Sequence, residues 1–321
     1  MRGVWASADG FLFKGGRILA ESFAFPANRA SWKRRSVLKF LAGNYLFRRR
    51  RRFERPAAWI VDDWSYGYFH WLADALTRLF TIKHLLGELV LLLPHRYAGL
   101  EFVRSSLEPF DVREVEYLRE GEVVRCERLL VPTPTAPSGQ YNEEVIRSVR
   151  DVLVGAYGQA AGGGGERIYI SRGKARKRRI VNEGAVVDTL REFGFGVVHA
   201  EEHSLAEQVR IASAAPCMVS NHGAGLTNML FMRAGGSVLE LRHRTDRINN
   251  CYFALASALG LDFFYQACDP ENPGEDAHTA NLLVDVRALR ENLELMLGGR
   301  TAAPDAWAPR SARPLGTGLS E

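Results

Sequence analysis

Cysteine is scarce in this 321-residue chain. Its four cysteines, Cys126, Cys217, Cys251 and Cys268, lie 91, 34 and 17 residues apart. No pair has the C-x-x-C spacing of a zinc or redox site, so reduced, buried thiols are expected. Apolar runs are short: Leu89–Leu93 falls far below the ~20 residues that a membrane span needs. The opening Met1-Arg2-Gly3-Val4-Trp5 lacks the apolar core and cleavage site of a secretory signal, so a soluble cytoplasmic protein is expected. Walker loop, serine nucleophile elbow and H-E-x-x-H are all missing, which removes P-loop, hydrolase and zincin chemistry. Asp62-Asp63 lacks the strict Asp-x-Asp spacing of an acidic metal motif, and no metal site is expected. There is no internal repeat.

What remains is ordinary globular composition, 46% hydrophobic and 25% charged, enough for a full core and two domains. The net charge of +5 is unevenly spread. Residues 1–55 carry fourteen Lys and Arg against Asp9, Glu21 and Glu54, a balance of +11, which leaves the remainder at −6. Lys33-Arg34-Arg35 and Arg48–Arg52 dominate this leader, flanked by Trp32, Tyr45, Phe47 and Phe53. The pattern predicts an irregular basic segment over 1–56 and an anionic partner, either lipid headgroups or nucleic acid phosphates. Of the two, an inner-leaflet membrane surface is preferred, because no nucleic-acid-binding motif accompanies the charge.

From Ala57 the texture changes. Ala57–Val61 reads as a buried strand. Tyr66–His84 reads as a helix, with Phe69, Leu72, Ala73, Leu76, Leu79 and Phe80 on its apolar face. At 100° per residue His70, Asp74, Thr77 and Arg78 share an adjacent polar face. Strands follow at Leu89–Leu93, Val112–Leu118 and Val123–Val131, and Asn142 caps a helix to about Tyr157. Gly162-Gly163-Gly164-Gly165 suits a linker. Beyond it strands and helices alternate: strands at Arg167–Ser171, Gly196–Ala200, Pro216–Ser220, Ser237–Leu241 and Asp262–Gln266, helices at Asn182–Phe193, from Ser204, and at Ile248–Leu259. This order implies βαβ units and a parallel sheet. Val284–Leu297 reads as a last helix, and the Pro/Ala-rich tail after it as disordered. The expected organisation is therefore a basic segment 1–56, a first Rossmann-like domain 57–161, a linker 162–165, a second such domain 166–280, a helix 281–298 and a tail 299–321.

Three features could carry chemistry. His222-Gly223-Ala224-Gly225-Leu226-Thr227-Asn228 follows a buried strand and opens a helix, where glycines admit a phosphate to helix N–H groups. Glu240, at the end of the next strand, could hold a ribose diol. Together they approximate a dinucleotide fingerprint, although Asn228 stands where a third glycine belongs. This favours a nucleotide without selecting NAD. Ser171-Arg172-Gly173-Lys174-Ala175-Arg176-Lys177-Arg178-Arg179 adds six cations after a strand of the same domain, a match for a diphosphate. In the first domain, His70 and Asp74 one helical turn apart could form an acid–base pair.

Tyr68–Leu76, Ile168–Arg172 with Arg178-Arg179 and Asn182-Glu183, Glu207-Gln208, His222–Asn228 and Val238–Leu241, taken jointly and in order, resemble glycosyltransferase family 61. The resemblance covers roughly residues 57–266. It implies a GT-B fold, two Rossmann-like domains facing across a cleft, with the last helix crossing back to the first domain. It implies an inverting transferase that needs no metal and no cofactor, with a nucleoside-diphosphate sugar as donor and a glycan or lipid-linked acceptor. A bacterial capsule or lipopolysaccharide member would suit the basic leader. Donor-binding positions then fall on Arg172, Arg178, Arg179, Asn182, His222, Gly223, Ala224, Gly225, Leu226, Asn228 and Glu240. Asp74, supported by His70, is the expected general base, with His222 as the alternative. A basic nucleic-acid-binding protein, or an NAD-type oxidoreductase built on the His222–Asn228 turn, are the competing readings.

Overall fold

A computed structural model describes residues 1–25, 27, 30, 34–158 and 165–298. The leader is not irregular. Strands β1 (Val4–Ser7), β2 (Leu12–Lys14) and β3 (Arg17–Ile18) form an antiparallel meander, followed by helix α1 (Arg34–Leu46) and strand β4 (Arg49–Phe53). The arginine run is thus a β-strand. It lies parallel to β8 (Glu122–Cys126), which also pairs with β1, giving the order β3-β2-β1-β8-β4. β4 is an edge, where charged side chains are tolerated and discourage pairing with another chain.

Its charges are largely spent within the fold. Arg51 pairs with Glu116 and Glu122, Arg52 with Glu127, Arg55 with Glu114 and Arg48 with Asp9. The predicted free basic leader is corrected accordingly. Arg49 and Arg50 stay exposed; Lys33 lies outside the described residues, and so do 162–164 of the predicted linker and the tail 299–321.

The second sheet is fully parallel, in the order β7 (Val115–Leu118), β6 (Val90–Pro94), β5 (Ala57–Ala58), β9 (Leu129–Leu130). The all-apolar Val90-Leu91-Leu92-Leu93 is what a strand covered on both faces requires. The single helix expected over 66–84 is broken into α2 (Tyr68–His70), a π turn (Trp71–Ala75) and α3 (Leu76–Thr81). In the π turn the Leu76 N–H reaches Trp71 O, so the turn holds one more residue than an α-helical one. Of the four predicted polar residues, Asp74, Thr77 and Arg78 line one small space, while His70 faces another. Arg78 turns inward to Asp62 Oδ2 at 2.5 Å and Ile60 O at 3.2 Å, leaving His70 and Asp74 together. Asp62 also accepts from Ser65, and Asp63 from the Ala24 N–H, so both are committed locally. Helix α4 (Glu101–Leu107) follows β6.

Helix α5 (Glu143–Tyr157), capped by Asn142 onto the Val145 N–H, leads from the second sheet to the third. The third runs β11 (Phe195–Val198), β10 (Arg167–Ile170), β12 (Cys217–Asn221), β13 (Ser237–His243), β14 (Asp262–Pro270), β15 (Leu282–Leu283). All pairings are parallel except β14 with β15. Helices α6 (Glu183–Glu192), α7 (Leu205–Ala214), α8 (Cys251–Leu259) and α9 (Val286–Gly298) cover it. The Ser204 capping box with Glu207 that opens α7 is formed.

The last helix does not cross back. Leu289, Leu293 and Met296 of α9 pack with Val186 and Leu190 of α6 in a core of the third sheet. Instead α5 joins the halves: Ile146, Val149 and Leu153 are fully buried in one continuous cluster with Leu92 and Leu76 on one side and Leu205, Met218 and Leu226 on the other. Truncating Leu153 to alanine there costs about 2–5 kcal/mol. Among the described residues no helix is long and apolar enough to cross a membrane.

Candidate active site

The site gathers where β10, β12 and β13 end and where α2 faces them. Asn221 closes β12, and the chain turns through Gly223 at φ 154° and ψ −178°, a conformation essentially confined to glycine. A Cβ at Gly223 would stand 2.6 Å from Arg172 Nη1, and one at Gly225 would meet Ile170 Cγ2 at 2.9 Å. The glycines therefore let the turn lie against the Arg172 guanidinium and β10. A 3-10 helix over Ala224–Phe231 follows, whose leading N–H groups have no partners within the helix.

Arg172 and Arg178 come together beside this turn. Arg172 donates only a long bond to Lys177 O, at 3.3 Å, and Arg178 donates to His222 O at 3.2 Å. The Nε atoms of both are buried without a partner, and no carboxylate pairs with either among the described residues. Burial, and then the neighbouring Arg178 cation, push the Arg172 pKa below that of an ordinary guanidinium. Arg178 also holds φ 57°, a strained value for a residue with a side chain, and its carbonyl accepts from Asn221 Nδ2. Two half-buried cations without an ion pair among the described residues, on a strained loop beside a glycine turn, make a positive site suited to an anion.

Two cavities meet here. The first, 370 Å³, is lined by Arg172, Lys174, Ala224, Gly225, Gln208, Asn228 and Tyr68, with Ser171 and Glu201. The second, 290 Å³, is lined by His70, Ser138, Arg178, His222, Gly223, Asn249 and Tyr252, and shares Tyr68 and Ala224 with the first. Tyr68 stands between them, its hydroxyl donating to Asn228 Oδ1 at 2.8 Å and lying 3.2 Å from Gln208 Oε1. Lys174 is spent on Glu202.

The second cavity holds two histidine–carboxylate pairs. His70 Nδ1 lies 2.8 Å from Asp74 Oδ2, which also accepts from Ser138 Oγ at 2.7 Å. An ionised carboxylate can only accept, so this contact needs the proton on Nδ1, and in the neutral ring Nε2 then carries the lone pair. His70 lines the cavity and Asp74 does not. Asp74 instead lines a small adjoining space with Thr77, Arg78 and Ser138, so of the expected pair His70 is the one that faces the larger cavity. Likewise His222 Nδ1 lies 2.5 Å from Glu240 Oε1, while His222 Nε2 is 3.1 Å from Asn249 Nδ2. Tyr252 fixes the turn through its hydroxyl on Gly223 O at 2.7 Å.

Several predicted donor positions lie away from the two cavities. Glu240 is 1% exposed with its carboxylate on His222, so it supports that ring and lines neither cavity. Asn182 ties α6 to Val284 through both backbone groups of that residue. Arg179 is exposed and lines neither cavity, its backbone meeting Asn281 and Leu282 instead. Leu226 is fully buried in the core. Arg172, Arg178, His222, Gly223, Ala224, Gly225 and Asn228 all line the paired cavities. Sequence reasoning gave no part to Ser138, Asn249 and Tyr252, which come from loops and a helix start with no periodic signal. Tyr68 and Gln208 sat inside the resembling motifs without a role.

A parallel sheet whose strand ends present cations and a glycine turn, opposite a histidine–carboxylate pair, is an arrangement suited to an enzyme that handles an anionic group. Residues 68–239, more than half the chain, match the family described as Glycosyltransferase 61, and the chain belongs to that family. That membership speaks against the nucleic-acid and oxidoreductase readings.

Similar proteins include protein O-linked-mannose β-1,4-N-acetylglucosaminyltransferase 2 of Bos taurus, 35% identical over 127 residues, which are 36% of this chain and 21% of that protein. A β-1,2-xylosyltransferase of Oryza sativa subsp. japonica is 26% identical over 203 residues, 56% of this chain and 36% of its own length. The EGF domain-specific O-linked N-acetylglucosamine transferase of Bos taurus is 29% identical over 106 residues, 32% and 20% of the two chains. The chain thus spans between a fifth and two fifths of these relatives.

Proposed function

We propose that this enzyme moves a sugar from a nucleoside-diphosphate donor to a hydroxyl of a glycan acceptor, with inversion and without a metal, across a GT-B-type cleft between its second and third sheets. The observation that carries the reading is the unpaired Arg172–Arg178 couple at the Gly223 turn, one cavity wall away from His70. The donor diphosphate lies against these guanidinium groups and the first N–H groups of the 3-10 helix. The acceptor hydroxyl enters the second cavity. Its oxygen attacks the anomeric carbon while His70 Nε2 takes its proton, and Asp74 stabilises the imidazolium that forms. The bond from the anomeric carbon to the phosphate oxygen breaks, and its electron pair leaves with the nucleoside diphosphate, whose charge the arginines meet. Similarity runs to animal and plant enzymes by name, so the acceptor is proposed as a glycan in general, with bacterial surface polysaccharide as one instance.

The test separates binding from chemistry. His70→Ala is expected to lower kcat by about 10²–10⁴-fold while leaving nucleoside-diphosphate affinity near that of the parent, measured by isothermal titration calorimetry. Near-normal turnover in that variant removes His70 as the base. A thermal-shift panel of UDP, GDP, CDP and ADP, with and without EDTA, is expected to show stabilisation that survives the chelator. Loss of the shift in EDTA overturns metal independence, and no shift with any of them overturns the donor reading.

A further inference from the structure

The second cavity opens into an elongated groove of 650 Å³, with which it shares Phe25, Ser138, Gly139, Asn249 and Cys251. The groove shares no lining residue with the first cavity. The three spaces are therefore in series: Arg172, then His70, then the groove. Its walls are the 138–141 loop and the beginning of α8. The two are held close at Gly139, which adopts φ +83° and where a Cβ would lie 3.3 Å from Cys251 Cβ.

The chemistry of the lining differs from that of the donor end. Phe25, Tyr141 and Phe253 supply aromatic faces, and Gln140 supplies an amide that both donates and accepts, beside the Asn250 amide, whose oxygen already accepts from Arg242 at 3.0 Å. Among the described residues no Lys or Arg lines it. Glu143 is the one ionised group in the lining, and Arg147 holds its carboxylate at 3.1 Å. A phosphate bound here would meet a carboxylate and no free cation. A neutral pyranose fits: its C–H face packs on an aromatic ring, and its hydroxyl rim pairs with amides.

We infer that this groove is the acceptor subsite and that it takes uncharged sugar residues, so the unit next to the reacting hydroxyl is a neutral glycan residue, not a phosphate-bearing carrier. The inference rests on the proposed reaction for its direction, acceptor entering opposite donor. Ligand recognition in the groove is measured separately.

Saturation-transfer NMR on the full chain, with and without UDP, tests it. The probes are methyl β-xyloside, methyl α-mannoside and methyl β-glucoside, with methyl β-glucuronide and glucose 1-phosphate as charged counterparts. At least one neutral glycoside is expected to receive saturation while the charged pair do not. Phe253→Ala and Gln140→Ala, both at exposed positions, are expected to reduce that signal about fivefold or more, with UDP affinity and the melting temperature unchanged. Saturation of the charged probes, none of the neutral ones, or full signal in both variants overturns the inference. Failure of UDP to bind the parent chain speaks against the donor reading alone, because glycoside contact is read without nucleotide.

Discussion

Two arginine-rich stretches look alike in the sequence and end as opposites. Strand β4 brings its arginines beside Glu116, Glu122 and Glu127, carboxylates 65 to 75 residues away in the chain. The loop after β10 brings Arg172 and Arg178 beside each other, with no acid between them. In the first, Arg51 and Arg52 are paired and Arg49 and Arg50 are exposed to solvent. In the second, both cations are half-buried and neither has an ion pair among the described residues. Charge counted along a chain measures how many cations exist, whereas function depends on how many the fold leaves without a partner.

The comparison can be strained from three directions. The largest effect is expected at a third, fully internal arginine, Arg78, whose pair with Asp62 has side chains 6% and 1% exposed. Removing one partner of such a pair strands a buried charge at about 3–5 kcal/mol. Arg78→Ala is therefore expected to lower the urea midpoint sharply, and an unchanged midpoint would show that water relieves Asp62. Next comes Arg172→Ala. Charge-assisted hydrogen bonds contribute about 1.5–3 kcal/mol each, so nucleoside-diphosphate affinity is expected to fall at least tenfold in calorimetry. Arg50→Ala, on strand β4, is expected to leave that affinity alone. Equal losses in both would erase the distinction drawn here.

The smallest effect belongs to the exposed pair of Arg55 and Glu114. The hydrogen bond from Arg55, ahead of their charge attraction, holds the Glu114 carboxyl below the usual glutamate range. Because its folded pKa is lowered, the pair's contribution is present above the unfolded pKa and is lost as pH falls through the lowered value. Melting curves recorded downward from pH 6 are expected to be slightly shallower in Glu114→Gln than in the parent. An identical acid limb would mean that solvent and salt already screen the pair.

The same contrast explains what the sequence could tell. The parallel sheets were legible because doubly covered strands such as Val90–Leu93 and Cys217–Asn221 must be apolar throughout, and helices must separate them. The glycine turn was legible because few residues besides glycine lie so close to Arg172. The β4 strand was not, since its composition reads as a solvated run until its distant glutamates are in place. Nor was the π turn, a backbone insertion with no compositional mark, which parts Arg78 from His70. Glu240 misled because its position at a strand end is correct and only its direction, toward His222, is set by packing. Ser138 and Asn249 lie in loops, where position depends on what surrounds them.

One feature of the first sheet bears on how the chain comes to be folded. β1 and β4 are joined only through β8, which the chain reaches some seventy residues after β4 and more than a hundred after β1. The first fifty residues therefore wait for their central strand while the second sheet takes shape around them, a closure of long sequence separation and a slow step by nature. A chain begun at residue 57 would leave β8 bare on both edges, with the buried Val123, Val124 and Cys126 uncovered. Such an edge templates association with other chains, so the leader's two strands serve to close β8 against it.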